Sequence, residues 1–243
     1  MNEMMQISAK TLGKVAMRDF CERCFWTLMH LDGGPPYSIF PSIFGRIDRY
    51  TKSLVHGYFD QHDKSPPWLT ELNVTGYIDP PSSRKFRTAI GNNVLLTGEA
   101  DAIYIKADGT LMIADYKTAY AKGDKDPLLP IYATQLNAYA FLAEILNLGQ
   151  VSELALIYTE PRVGDEDANS KENLRDNGFC MGFEAKIHTM PLDIASIGPL
   201  LKRAKDVFDQ GLPPSTREGC YDCIQAGRLR DLTLAADLDL TSM

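Results

Sequence analysis

No stretch of the 243-residue chain approaches the roughly 18 consecutive apolar residues that a membrane-spanning helix needs. The first residues, M-N-E-M-M-Q-I-S-A-K, lack the charged start, apolar block and small-residue cleavage site of a secretory leader. A cytoplasmic protein with no membrane partner is therefore expected. Positive charge is also short: 25 Lys and Arg against 32 Asp and Glu leave a net charge of −7, which argues against a broad electrostatic grip on nucleic acid. Basic surface has to be local, at K-R-A-K (Lys202 to Lys205) or R-K-F-R (Arg84 to Arg87). There is no internal repeat, which excludes array architectures. The length suits one domain, expected over residues 1–225, with 226–243 as a weakly anchored tail.

What the chain does have is centred on Gly98 to Lys117, G-E-A-D-A-I-Y-I-K-A-D-G-T-L-M-I-A-D-Y-K. Two apolar runs, Val94 to Lys106 and Thr110 to Tyr116, are joined by an Asp108-Gly109 turn, the strongest short-range signal for a β-hairpin. Residues two apart on a strand share a face, so Asp115 and Lys117 stand together and Tyr116 points away. Asp101 lies on the partner strand, where the turn can bring it near Asp115. Two carboxylates and a lysine on one patch suit phosphate-facing chemistry, with oxygen ligands for Mg2+ or Mn2+ and an ammonium beside them. The same residues serve equally as water-facing groups of a half-buried hairpin.

Upstream, Lys10 to Leu31 is a helix-like apolar segment ended by Gly33, Gly34, Pro35 and Pro36. A helix is expected from Ser42 to Tyr58, with Ile43, Ile47, Tyr50, Leu54 and Tyr58 as its core-facing stripe. Asp48 falls at the margin of that stripe and His56 on the far side, which makes Asp48 the candidate inward-reaching acid. Residues 60–93 read as a long connection rich in proline, glycine and polar residues. Beyond the hairpin come a helix from Leu129 to Leu148, with Gln135 and Tyr139 on one face, a buried strand from Val151 and a polar loop from Glu160 to Gly178. A strand from Phe179 to Thr189 and a helix from Leu192 to Gln210 follow. This order predicts an α/β fold, a mixed sheet flanked by helices.

The cysteines form two C-x-x-C pairs, Cys21 with Cys24 and Cys220 with Cys223, separated by 196 positions. That is half-site spacing for a thiolate metal centre, zinc or iron–sulfur, and metal ligation is favoured over disulfides in a cytosolic chain. Cys180, alone on a strand, is expected to be a small buried hydrophobe.

Taken together, G-E-A-D at Asp101, D-Y-K at Asp115 to Lys117 and Q-L-N-A-Y at Gln135 to Tyr139 resemble the motifs of the PD-(D/E)XK nuclease superfamily. The likeness extends to its RecB-type branch, which includes the CRISPR-associated exonucleases and AddB-type nuclease domains. The resemblance implies a restriction-endonuclease-like core and a Mg2+- or Mn2+-dependent DNA nuclease, an exonuclease working in repair, recombination or defence. By position it assigns metal binding to Asp101 and Asp115, with Asp48 as the upstream acid. Lys117 would orient or activate the water, and Gln135 and Tyr139 would sit beside the scissile strand. It implies single-stranded or duplex-end DNA as substrate and a protein partner in a repair or defence complex. Iron–sulfur members of that branch join both ends of the domain through cysteines, so an iron–sulfur cluster on Cys21, Cys24, Cys220 and Cys223 is expected, with zinc as the alternative. Those members use one N-terminal and three C-terminal cysteines, whereas nothing here follows Cys223, so Cys24 takes the missing place. The competing functional readings are a non-catalytic nucleic-acid or partner-binding module that keeps the fold, and a purely structural metal-stapled protein.

Overall fold

The centre of the molecule is a seven-residue strand that is buried almost to its end. In the computed structural model, which describes residues 3–32, 41–91 and 93–240 (235–240 by backbone alone), L-M-I-A-D-Y is buried and only Lys117 is partly exposed. A strand shielded on both faces needs a layer of structure on each side. The chain supplies these layers in the order β1 (Met5–Ser8), α1 (Ala9–Gly13), α2 (Glu22–His30), α3 (Ser42–His62), β2 (Val74–Ile78), β3 (Arg87–Ile90), β4 (Val94–Thr97), β5 (Ala102–Lys106), β6 (Leu111–Lys117), α4 (Leu129–Ile145), β7 (Val151–Pro161), α5 (Asp165–Ala168), β8 (Leu174–Arg175), β9 (Gly178–Phe179), β10 (Phe183–Met190), α6 (Ile197–Phe208) and α7 (Tyr221–Leu240).

The main sheet runs β10-β7-β6-β5-β2, mixed because β6 and β7 are parallel while the other neighbours are antiparallel. A parallel pair needs a crossover, and α4 is that connection. The strand alternation of β6 splits the core in two. Leu111 and Ile113 face α4, with Ile103, Leu136, Leu142 and Leu156, while Met112, Ala114 and Tyr116 face α3, with Val55, Phe59, Tyr104 and Ile157. α4 is buried on every side from Thr134 to Ala140, enclosed by the sheet, α1 and α6. A second sheet, β1-β4-β3, stands beside it. The α/β class and the helix-flanked mixed sheet are as expected.

Several local expectations are corrected. The run from Val94 to Lys106 is two strands in different sheets, broken at Gly98 to Asp101, so the hairpin is β5–β6 alone. The long connection from 60 to 93 contains β2 and β3, whose short runs are hidden among prolines and glycines. Lys10 to Leu31 is two helices rather than one, because Cys21 leaves helical geometry before α2 starts. The break at Gly33 to Pro36 lies outside the described residues. On α3 the helical period holds but the buried side is not the expected one: Ile43, Tyr50 and Leu54 are exposed, and Val55 and Phe59 are buried. The surface opposite the helix chooses the side, and here it is Leu69, Leu72, Val74 and Tyr104 that receive Val55 and Phe59. Cys180 is exposed and lies between β9 and β10 rather than on a strand. Glu160, expected to open a polar loop, is buried at the end of β7, where it accepts hydrogen bonds from Lys186 and the Ala121 amide.

Two glycines are required by close approach. A Cβ on Gly13 would stand 2.6 Å from the Ile131 carbonyl oxygen, so α1 and α4 approach backbone to backbone at that point. A Cβ on Gly98 would meet Leu142, Phe86 and Tyr139 at 2.8, 2.9 and 2.9 Å. Gly13→Ala is expected to destabilise the fold by about 1–3 kcal/mol, because backbone cannot yield to the added methyl. Gly57→Ala, in α3 where nothing lies within 4 Å, is expected to gain about 0.5–1 kcal/mol from helix propensity. Urea denaturation of the two variants against the parent checks both signs.

Candidate active site and cysteine centre

β6 delivers Asp115 and Lys117 to the face covered by α4. Asp115 is 3% exposed. Its Oδ1 accepts a hydrogen bond from Gln135 Nε2 at 2.9 Å, and its Oδ2 pairs with the Lys117 ammonium. Gln135 Nε2 also donates to the Tyr139 hydroxyl at 2.8 Å, as the one-turn spacing of the two residues on α4 allows. Gln135 Oε1 is left buried with no donor among the described residues. Lys117 Nζ lies 4.2 Å from the centre of the Tyr132 ring, a cation–π seat that limits where the ammonium can go.

Asp101 lies one step beyond the Ala102–Ala114 register pair, which sets it opposite Asp115. Its Oδ2 accepts from the Tyr116 amide at 2.9 Å, and its Oδ1 accepts from Lys52 Nζ at 2.7 Å. The same ammonium is 2.9 Å from Asp48 Oδ2. Asp48, Lys52, Val55 and Phe59 recur at intervals of four and three, so the polar pair continues the buried side of α3 toward the strand ends. His56 stacks on Tyr77 of β2 with ring centres 4.0 Å apart, and its Nδ1 lies 3.9 Å from Asp79 Oδ1.

The structure thus brings Asp48, Asp101, Asp115, Lys117, Gln135 and Tyr139 into one constellation. It adds Lys52 and Tyr132, which sequence reasoning missed. Asp48 and Lys52 at i and i+4 were a legible ion-pair spacing, but nothing linear announced that Asp101 would complete the triplet.

Burial pushes the Asp115 carboxyl up to about 6, with Lys117 opposing the shift and Asp101 adding to it. Burial works to lower Lys52, but Asp101 and Asp48 outweigh it and hold its pKa above the usual value. Tyr139 is raised by burial and by Asp115, so it stays a neutral phenol. The donor set fits a hard divalent cation: carboxylate oxygens just before β5 and on β6, and a buried amide oxygen left without a donor among the described residues.

Of the basic clusters, K-R-A-K is taken up internally. Lys202 pairs with Asp206, Lys205 pairs with Asp209, and Arg203 lies over Phe20. Arg84, Lys85 and Arg87 are exposed and form no ion pair among the described residues. They flank buried Phe86, whose ring centre is 6.0 Å from that of Tyr139.

Far along the chain from these residues, Cys21, Cys24, Cys220 and Cys223 converge, their sulfurs all within 4.8 Å of one another. α2 carries its pair against α6 through a stack of Trp26, His30 and Phe208, with ring centres 4.1 and 4.7 Å apart. The four-cysteine group can hold a metal.

Comparison with known proteins places this architecture. A family model described as the PD-(D/E)XK nuclease superfamily matches residues 34–224. No protein of curated function matches the chain. A solved structure titled "Crystal structure of SSO0001" is similar at 17% identity and a TM-score of 0.43, covering 88% of this chain and 80% of that one. The family match runs across most of the sequence and takes in Asp48, Asp101, the D-Y-K strand, Gln135 and Tyr139: the chain belongs to the PD-(D/E)XK nuclease superfamily.

Proposed function

We propose that the protein is a Mg2+- or Mn2+-dependent DNA nuclease of the RecB-type branch. In this reading it is an exonuclease acting on single strands or duplex ends, in a repair, recombination or defence complex with a protein partner. Residues 1–225 would form the nuclease domain and 226–243 a weakly anchored tail. One observation carries the reading: Asp115 is buried against Gln135 and Lys117 while Asp101 is tied to the amide of the very next residue. Burying a carboxylate disfavours its charged form, so a buried acid kept at a strand end beside a second acid supports reading the pair as a cation site.

Asp101 and Asp115 would hold the divalent ion, with Asp48 behind Asp101. The ion supplies Lewis acidity at the phosphate oxygens and offsets acidic charge that would repel DNA. Lys117, steadied over Tyr132, presents positive charge where negative charge builds up on phosphorus during attack by water. Gln135 fixes Asp115 through its amide nitrogen and leaves Oε1 as an acceptor for a water proton. Tyr139, a neutral phenol, can donate to a phosphate oxygen. Arg84, Lys85 and Arg87 offer the backbone of the nucleic acid a local basic contact that the net charge of −7 does not.

A second reading, a non-catalytic binding module that keeps the fold, is favoured by one feature: Asp48, Asp101 and Asp115 are already paired with Lys52 and Lys117 from within the chain. Digestion of single-stranded and duplex DNA with and without Mg2+ or Mn2+ separates the two.

Asp115→Ala and Lys117→Ala are each expected to lower cleavage by about 10² to 10³ or more with the circular dichroism unchanged; near-parental digestion by either would remove the site assignment. Asp48→Ala is expected to impair metal-dependent cleavage more than His56→Ala, and the reverse order in matched kinetic assays would move the upstream acid's role to the histidine. Asp115 also predicts a pH signature. Its folded pKa of about 6 lies above the ordinary 3.8, so the native state holds this proton more tightly than the unfolded chain. The protein therefore loses stability as pH rises through that window and keeps the loss above it. Asp115→Asn is expected to raise Tm at pH 8 in chelator-treated buffer, a gain that vanishes near pH 4, while abolishing cleavage. Thermal melts at both pH values test this.

A further inference from the structure

The geometry of the four cysteines says more than that they can hold a metal. Cys24 Sγ lies 3.3 Å from Cys223 Sγ and 3.5 Å from Cys220 Sγ, and Cys21 Sγ lies 3.7 Å from Cys223 Sγ. Four thiolates bonded at about 2.3 Å around one tetrahedral zinc ion stand about 3.8 Å apart by simple trigonometry. In a four-iron cluster each thiolate ends on its own iron, and the irons are themselves spread around a core of sulfides. That arrangement pushes the four sulfurs wider than they stand around a single ion. The observed cage is of single-ion size.

The two pairs are also built alike. Cys21 precedes α2 and Cys24 lies in its first turn; Cys220 precedes α7 and Cys223 lies in its first turn. In each the carbonyl of the first cysteine accepts from the residue after the second, Phe25 N at 3.0 Å and Ile224 N at 3.1 Å. Gly219, with φ +67°, makes the turn into the second pair. Two helix N-termini therefore converge on the same four sulfurs, and their dipoles favour the excess negative charge of four thiolates around a dication. All four positions are taken by protein ligands, which is the composition of a structural site with no open position for chemistry.

We infer that Cys21, Cys24, Cys220 and Cys223 close around one zinc ion, in place of the iron–sulfur cluster that the sequence resemblance implied. Among single ions, zinc binds such a site more tightly than ferrous iron. The inference rests on the reading that these thiols hold a metal at all, and it makes the ion a staple between α2 and α7.

The test is the metal and acid-labile sulfide content of the full chain, produced in medium containing both iron and zinc and purified anaerobically. One zinc per chain and a colourless protein are expected. A brown protein with iron and sulfide overturns the inference while leaving the metal-site reading intact. A single iron without sulfide overturns zinc, and a metal-free protein overturns both. Exchange with Co2+ is expected to give the intense visible bands of tetrahedral thiolate cobalt; weak bands of higher coordination would count against the cage. Cys223→Ser should lose the ion and lower Tm by about 10 °C or more, whereas Cys180→Ser should keep one zinc and the parental Tm. Should Cys223→Ser fail to fold, the stoichiometry of the parent still decides.

Discussion

Everything at the candidate active site depends on keeping a carboxylate where water barely reaches it. Asp115 sits on a strand covered on both faces, and three contacts make that position tenable: the Gln135 amide on one oxygen, the Lys117 ammonium on the other, and a helix crossover that brings Gln135 within reach. α4 is buried on every side from Thr134 to Ala140, where it carries both packing residues and this polar contact. The glycines at 13 and 98 serve the same helix, since they let α1 close on α4 at Ile131 and the β4–β5 connection close on it at Tyr139 and Leu142.

Charge is arranged locally rather than globally. The acidic chain pairs its acids with its own lysines where they face one another: Lys52 lies between Asp48 and Asp101, and Lys117 lies against Asp115. Buried carboxylates without counter-charges would be costly, and with lysines alone they would be inert ion pairs. In the proposed reading Asp101 and Asp115 would hold a divalent ion, and Lys52 and Lys117 would stand beside it as positive charge for a phosphate. Within the basic run Arg84 to Arg87 it is Phe86 that packs near Tyr139, its charged neighbours being exposed, while the run at Lys202 to Lys205 is spent on packing and intrahelical pairs.

Two C-x-x-C segments from opposite halves of the chain meet at the cysteine cluster, apart from the carboxylates of the candidate site. α2 leans on α6 through aromatic stacking and carries one C-x-x-C, while the start of α7 carries the other. Each pair alone is half a site, so binding of a metal there and tertiary closure would be one event.

How much of this was legible follows from the range of each signal. Period two on β6 determined that Asp115 and Lys117 share a face, the Asp-Gly turn determined the β5–β6 hairpin, and one-turn spacing set Gln135 beside Tyr139. These are local geometry, and local geometry is written in the sequence. The two C-x-x-C pairs announced a shared site because each is incomplete alone. The inward side of α3 was not legible, since a helix with apolar residues on more than one side takes its orientation from the surface opposite, and that surface is assembled from β2, β5 and β6. Lys52 was hidden for the same reason: its second partner, Asp101, lies 49 positions away. The exposure of Cys180 and the burial of Glu160 turned on where strands stop pairing. The sequence by itself determined which residues can act together along one element. Tertiary structure decided which elements meet, because that depends on surfaces no single segment contains.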